Sequence, residues 1–254
     1  MTRHPSARPT PAARFTSVPI PDGAEPLIRI SHLTKAYRGR PALADLTLHL
    51  PAGRIVGLMG SNGSGKTTLL KILAGLLSEY DGRVRIGGHA PGPESKALVA
   101  FLPDADFLAS GLKAEQAIAM FARLFPDFDA DRARELVDFF GLPKDRSLKE
   151  MSKGMGEKLR VSLVMARRAR VYLLDEPISG VDPAARDVIL SGVLRNFDPE
   201  ALMVISTHLI ADVEPIVDSV VFLKDGRLLL AGDADDLRQA HGMSLDALFR
   251  KEYH

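Results

Sequence analysis

The sequence predicts an α/β fold with a mixed β core and an inserted α-helical subdomain. Three observations in its 254 residues support this prediction. Strand-sized apolar runs alternate with helical patterns over most of the chain, which is typical of a β-sheet covered by helices. The stretch of about 105–168 carries helical patterns alone. A glycine-rich loop at 60–67 lies directly between a predicted strand and a predicted helix.

The first part of the chain supplies several strands and one helix. Runs of alternating or continuous apolar residues predict strands at 27–33, 43–50, 54–59, 83–86 and 97–102. Leu70, Leu73 and Leu77 recur at helical spacing, so a helix is predicted over 67–77.

The rest of the chain first turns helical and then returns to strands. Helices are predicted at 112–125, at 131–140 and from Ser152 to about 168, followed by strands at 171–174, 202–206, 219–223 and 227–230 and a helix at 244–252. Asp225-Gly226 is a strong hairpin signal, because these residue types tolerate the positive φ of a two-residue turn. We expect one domain at 27–254, with the helical subdomain at about 105–168 inserted in it.

The first 26 residues have a different composition. They carry Arg3, Arg8 and Arg14, no acidic residue before Asp22, and prolines at 5, 9, 11, 19, 21 and 26. Prolines at this density prevent a helix, and such a segment can bury little apolar surface. We therefore expect a disordered tail at 1–26, with a targeting or docking segment as the alternative.

Composition excludes several kinds of function. The net charge is +1, so the chain has no global field that attracts nucleic acid, and no direct nucleic-acid binding is expected. The absence of cysteine excludes disulfides and thiolate zinc sites and fits a cytosolic location. No window offers the roughly 18 apolar residues that a membrane span needs, so any spans would belong to another chain.

The glycine-rich loop has the pattern G-x-x-x-x-G-K-[ST]. It consists of Gly60, Ser61, Asn62, Gly63, Ser64, Gly65, Lys66 and Thr67, and Thr68 follows. The glycines allow backbone N–H groups to surround phosphate oxygens, and the helix that begins there adds its positive end. We expect Lys66 to reach the β and γ phosphates and the Thr67 hydroxyl to bind Mg²⁺. The loop, with Thr68, predicts binding of a nucleoside triphosphate.

A second site follows the apolar strand at 171–174. Asp175, at the end of this strand, would hold Mg²⁺ through water. Glu176 is next to it and would place a carboxylate where an attacking water needs a general base. A polar loop after a buried strand is the alternative interpretation, and the upstream phosphate-binding pattern favours the catalytic one.

These motifs, in this order, resemble the nucleotide-binding subunits of ABC transporters over residues 27–254. The glycine-rich loop resembles their Walker A loop, and 171–176 their Walker B strand with its catalytic glutamate. Tyr37 matches the aromatic residue that stacks on adenine, and Ser179-Gly180-Val181-Asp182 matches the D-loop. Ser206-Thr207-His208 resembles the segment whose histidine contacts the γ-phosphate.

The resemblance implies a fold, cofactors and catalytic roles. The fold is a P-loop NTPase of the ABC ATPase type, α/β, with a mixed β core, an antiparallel β subdomain and the inserted helical subdomain. The cofactors are ATP and Mg²⁺. Glu176 would activate water, while His208 and Lys66 would stabilise the transferring phosphoryl group.

Two motifs depart from the family pattern. The signature Leu-Ser-Gly-Gly-Gln is replaced by Met151-Ser152-Lys153-Gly154-Met155, which keeps only Ser152 and Gly154 and resembles the signatures of ABC-2-type exporters. In the family this helix end covers the γ-phosphate of ATP held by a partner subunit. Asp104 stands where the family has the Q-loop glutamine, so an oxygen ligand for Mg²⁺ is kept and an amide donor is lost.

The resemblance also implies partners and a location. The partners would be a second ATPase subunit, either a second copy or a paralogue, and a membrane-spanning transporter subunit. The chain would lie on the cytoplasmic face of the cell membrane, with export favoured over import. The first alternative is a non-transport ABC ATPase that signals to or remodels a protein or nucleic-acid partner. A small-molecule kinase is the second, and it leaves residues 151–155, 179–182 and 206–208 without a role.

Overall fold

The computed structural model describes residues 16–21 and 23–253. In these ranges the strands are β1 (Ile28–Tyr37), β2 (Arg40–Leu50), β3 (Arg54–Met59), β4 (Asp81–Ile86), β5 (Val99–Leu102), β6 (Val171–Asp175), β7 (Leu202–Thr207), β8 (Ser219–Lys224) and β9 (Arg227–Asp233). The α-helices are α1 (Lys66–Leu73), α2 (Pro93–Lys96), α3 (Ala114–Leu124), α4 (Ala130–Phe139), α5 (Lys153–Met165), α6 (Pro183–Arg195), α7 (Ile210–Val213), α8 (Ala234–His241) and α9 (Leu245–Tyr253).

The strands form two sheets. The smaller one is antiparallel, with the order β2-β1-β4. The larger one has the order β5-β6-β7-β3-β8-β9 and is parallel except for β9, which pairs antiparallel with β8. This mixed sheet and the separate antiparallel sheet confirm the predicted fold class.

Side-chain alternation divides the core between the two faces of the larger sheet. In β6, Leu173 packs into one hydrophobic cluster, whereas Tyr172 and Leu174 pack into the other. The first cluster also contains α1 and the inner face of the antiparallel sheet, and the second contains the helices that follow β5. Because both faces are covered, β6 is buried along its whole length, as is typical of a central parallel strand.

Three α-helices, α3 to α5, lie between β5 and β6. Near the end of α3, Phe121 is the centre of an aromatic cluster: its ring centroid lies 5.2 Å from that of Phe125 and 5.6 Å from that of Phe128, both in the connection to α4. Arg167 stacks its guanidinium over Phe125 and also donates to Asp127, so it ties the end of this segment to its middle. The treatment of 105–168 as a subdomain stays a prediction.

Local signals explain where several elements end. The helix α1 stops at Leu73, earlier than predicted, because Gly75 adopts φ +68° and its N–H donates to Ile72 O in a helix-terminating turn. The predicted hairpin is confirmed: Asp225 and Gly226 both have positive φ and join β8 to β9. The helix α6 was not predicted, although Asp182 caps it by accepting from Ala185 N–H.

The expectation for segment 1–26 is partly corrected. Residues 1–15 and 22 lie outside the described residues. In the remainder, Val18 is buried and Thr16 forms a parallel bridge with Ala231, so this portion packs on the domain instead of lying free. One apolar side chain among the prolines is enough to bring it to the core surface.

Within residues 16–21 and 23–253, none of the helices is long and apolar enough to span a membrane.

Gly82 and Gly88 provide a matched test of the antiparallel sheet. Both have positive φ, but a methyl group at Gly82 would lie 2.4 Å from His32 O, whereas none of the atoms around Gly88 comes within 4 Å. We expect Gly88→Ala to lower the free energy of unfolding by about 1–2 kcal/mol. Gly82→Ala should lower it by roughly 2 kcal/mol more, because the β1–β4 pairing must also shift. Urea denaturation measures the free energy of unfolding of each variant. An equal decrease in the two variants would contradict this account.

Candidate functional site

The site lies at the carboxyl edge of the larger sheet. There β3 ends before the glycine-rich loop, β6 ends at Asp175 and β7 ends at Thr207. The order β6-β7-β3 makes these three strands neighbours, so their parallel direction brings the loop and the acidic residues to one edge. Open α/β sheets bind ligands at this kind of edge.

The glycine-rich loop has the conformation that its sequence predicts. Gly63 and Gly65 have φ values of +82° and +107°, which few other residues adopt without strain. A methyl group at Gly65 would lie 2.5 Å from Ala42 O, so the loop also needs glycine for close approach. The helix α1 begins at Lys66, and its free N–H groups face the loop.

Lys66 is buried inside this loop, with only 6% of its side chain exposed. Its Nζ donates to Gly60 O at 2.7 Å and to Ser61 O at 3.2 Å. Burial lowers the pKa of Lys66 below its ordinary value, and the carboxylates of Glu176 and Asp175 oppose that shift. The ammonium is therefore held by groups that a phosphate could replace.

Glu176 joins the other two predicted catalytic residues. Its Oε1 lies 3.6 Å from Lys66 Nζ, and its Oε2 lies 2.9 Å from His208 Nδ1. Glu176 has φ +52°, an uncommon conformation for a residue with a side chain. Ser206 stabilises it, because Glu176 N–H donates to both Ser206 O and Ser206 Oγ. The structure thus brings Glu176 into contact with both Lys66 and His208.

Asp175 and Thr67 fit a Mg²⁺ site. Thr67 Oγ1 donates to Asp175 Oδ1 at 3.2 Å, and Ser206 Oγ donates to the same oxygen at 2.5 Å. Asp175 Oδ2 is buried and makes no hydrogen bond to the described residues. The described ranges hold no cluster of three or more acidic, His or Cys side chains able to bind a metal. Thr67 and Asp175 supply oxygen atoms, which are the ligands that Mg²⁺ prefers.

An open cleft of about 470 Å³ adjoins these residues. It is lined by the glycine-rich loop residues Asn62, Gly63, Gly65, Lys66 and Thr67, by Thr68, and by Tyr37, Asp104, Glu176 and His208. Tyr37 is the last residue of β1, which runs four residues past the predicted strand end at 33, and its side chain is 46% exposed at the cleft. Most of the predicted nucleotide-binding residues therefore converge on one cleft.

The signature residues Ser152 and Gly154 do not line this cleft. Ser152 caps α5 by accepting from Met155 N–H, and it lines a neighbouring cleft of about 410 Å³. Asp104, Glu176 and Ser179 line both clefts, so the two are contiguous. The second cleft also holds the buried Arg160, which donates to the buried Glu157 and to the exposed Asp106.

Comparisons with known proteins agree with this geometry. A profile described as "ABC transporter" matches residues 43–179. The chain is 29% identical to the ABC transporter ATP-binding protein YtrB of Bacillus subtilis (strain 168), across 85% of this chain and 75% of that one. It is 30% identical to the daunorubicin/doxorubicin resistance ATP-binding protein DrrA of Streptomyces peucetius, across 86% and 68%.

The fold also has close structural neighbours. A solved structure described as the ATP binding subunit of an ABC transporter superposes with a TM-score of 0.80 at 29% identity, and the match covers 90% of this chain and 100% of that one.

Ser206 is a functional candidate for which the sequence predicted no separate role. Its role becomes visible only in its contacts with the end of the neighbouring strand β6. Ser206→Ala removes the hydrogen bond to Asp175 and one bond to Glu176 N–H. We expect the Mg²⁺ concentration for half-maximal ATP hydrolysis to rise about tenfold, the usual effect of losing a residue that orients a metal ligand. The assay is a magnesium titration of phosphate release.

Ser95→Ala is the matched control for this prediction. The Ser95 hydroxyl is also buried, and it both donates to Gly92 O and accepts from Gly92 N–H. Loss of the Ser95 hydroxyl should lower the free energy of unfolding. The Mg²⁺ concentration for half-maximal ATP hydrolysis should stay unchanged. A similar titration shift in both variants would show that Ser206 acts only through general stability.

Proposed function

The chain belongs to the ABC transporter family and is an ATPase of that family, and we propose that it powers export through a separate membrane-spanning subunit. The observation that carries the catalytic part of this proposal is the contact of Glu176 with both Lys66 and His208 at the edge of the phosphate-binding cleft.

ATP would bind in the cleft with its phosphates in the glycine-rich loop. Backbone N–H groups at the start of α1 and the Lys66 ammonium would hold the β and γ phosphates. Lys66 already bonds to two carbonyl oxygens, and exchanging them for phosphate oxygens keeps the buried ammonium satisfied. The exposed ring of Tyr37 offers a surface on which adenine can stack.

Thr67 and Asp175 would hold the Mg²⁺ ion, with Asp104 nearby at the cleft. When bound, the ion neutralises phosphate charge during hydrolysis. Glu176 would accept a proton from the attacking water, and His208 would hold the Glu176 carboxylate in place. Lys66 would stabilise the charge that develops on the transferring phosphoryl group.

We further propose that two ATPase subunits close head to tail around the nucleotides. The position of Ser152 and Gly154 supports this arrangement, because neither lines the nucleotide cleft of its own chain. The capped end of α5 has free N–H groups that suit the γ-phosphate on a partner subunit. The partner would be a second copy or a paralogue.

The surface for the membrane-spanning subunit would be an apolar groove of about 370 Å³ beside the helical segment. Phe101, Pro103 and Phe107 line it, together with the cationic side chains of Lys71 and Lys96. We propose that an apolar segment with acidic flanks, from the cytoplasmic side of that subunit, occupies it. Pro103 adjoins Asp104 of the nucleotide cleft, so the groove and the nucleotide share one loop.

Export is the proposed direction, and the cytoplasmic face of the membrane the proposed location. The Ser152-Lys153-Gly154-Met155 signature, which resembles those of ABC-2-type exporters, supports this direction. The similarity of the chain to a protein described as a daunorubicin/doxorubicin resistance ATP-binding protein also supports export.

Glu176→Gln tests the catalytic proposal. We expect ATP hydrolysis to fall by at least about 100-fold, because the general base is lost, while ATP still binds and traps a dimer. Phosphate release and size-exclusion chromatography with MgATP measure both effects. Lys66→Ala should instead abolish ATP binding. Glu94 is exposed, so Glu94→Gln is a control that should bind and hydrolyse ATP like the wild type. Normal turnover of Glu176→Gln would refute Glu176 as the base.

Leu76→Glu tests the groove. Leu76 lines the groove and is 59% exposed, so a carboxylate there should abolish co-purification with the membrane-spanning subunit while ATP hydrolysis by the isolated chain is kept. Leu124→Glu is the matched control, since Leu124 is 62% exposed and lies outside the groove lining. Unchanged co-purification of Leu76→Glu, or equal loss in both variants, would contradict the groove as the docking surface.

A further inference from the structure

The last residue of α9, Tyr253, contacts the phosphate-binding loop. Its Oη accepts a hydrogen bond from Ser61 N–H at 3.0 Å, and it donates its own proton to Leu223 O at the end of β8. One hydroxyl therefore connects the loop after β3 to the neighbouring strand. None of the motifs in the sequence points to this residue.

The bonded N–H belongs to the peptide group that also holds the catalytic lysine. In the peptide between Gly60 and Ser61, the carbonyl oxygen accepts from Lys66 Nζ at 2.7 Å, and the N–H donates to Tyr253. Because a peptide group is planar, the orientation of its N–H fixes the orientation of its carbonyl. The Tyr253 hydroxyl thereby fixes the carbonyl that receives the Lys66 ammonium.

Tyr253 is itself held firmly. At the start of α9, Leu245 N–H donates to Glu214 Oε1 at 2.9 Å, and the side chains of Leu245 and Leu248 are fully buried. At its end, Lys224 Nζ donates to Tyr253 O at 2.6 Å, and the Tyr253 ring stacks 4.2 Å from that of Phe249. A hydroxyl on a fixed ring can orient a loop with little loss of conformational entropy.

The β8–β9 hairpin supports the same loop at two further points. A methyl group at Gly60 would lie 2.6 Å from Leu223 O, so the loop begins in close contact with β8. Gly226 N–H, in the hairpin turn, donates to Ser64 O at 3.1 Å. Together with the Tyr253 contact, these interactions hold the loop at Gly60, Ser61 and Ser64.

We propose that Tyr253 is a positioning residue for nucleotide binding, acting through the Gly60–Ser61 peptide on Lys66. It preorganises the loop so that the ammonium lies where the phosphates arrive. The inference rests on the proposed nucleotide site at residues 60–68. It adds to that site a residue that lies 192 positions after Ser61 in the sequence.

Tyr253→Phe is the test, because it removes the hydroxyl and keeps the stacked ring. We expect the dissociation constant for MgATP, and the KM for ATP, to rise about threefold to tenfold, the range for one lost hydrogen bond. We expect kcat to stay within about twofold of the wild type, since Glu176 and His208 are untouched. A purely structural residue would instead lower the active fraction, and so kcat, with KM unchanged.

Tyr80→Phe is the matched control. Tyr80 is partly buried and packs against the hydrophobic cluster that contains α1 and the inner face of the antiparallel sheet. It does not line the nucleotide cleft. Its substitution removes the same chemical group and should leave MgATP binding unchanged. Hydrogen–deuterium exchange of the nucleotide-free protein adds a direct readout, because Ser61 N–H should exchange faster in Tyr253→Phe than in the wild type.

The outcomes separate this inference from the proposed function. Wild-type protein without affinity for MgATP would refute the nucleotide site itself. A wild type that binds MgATP while Tyr253→Phe binds it equally well, with unchanged exchange at Ser61, would overturn the role of Tyr253. Equal weakening by Tyr80→Phe and Tyr253→Phe would overturn it too.

Discussion

The buried ammonium of Lys66 is the interaction on which the rest of the site depends. An unpaired charge in this position would be costly, so the loop must offer it acceptors at all times. Two carbonyl oxygens and the Glu176 carboxylate do so. These acceptors come from two places, the loop after β3 and the end of β6, so the site depends on how the strands meet at the sheet edge.

Sheet topology creates that edge. With β7 between β6 and β3, Ser206 of β7 reaches Asp175 at the end of the neighbouring β6, and Lys66, after β3, reaches across to Glu176. Strands that follow one another in sequence would not place these groups together. The antiparallel sheet contributes from outside, since Tyr37 at the end of β1 forms one wall of the cleft.

Much of this arrangement could be predicted from the sequence because its signals are local. The glycine pattern around Lys66, the apolar strand before Asp175 and the Asp225-Gly226 turn each follow from backbone geometry within a few residues. The contacts of Ser206 and Tyr253 could not be predicted, since they depend on which strands become neighbours. The burial of Val18 was missed for a different reason: a proline-rich segment gives no periodic signal.

The position of β3 in the larger sheet has a consequence for biosynthesis. Both of its neighbours, β7 and β8, are translated more than 100 residues after it, as the pairings Arg54 with Leu202 and Val56 with Ser219 require. While the ribosome makes the intervening chain, this apolar strand has neither partner and exposes its edges. Fragments released early would therefore be prone to aggregate and unable to capture a nucleotide, and the nascent chain would need protection until its last quarter emerges.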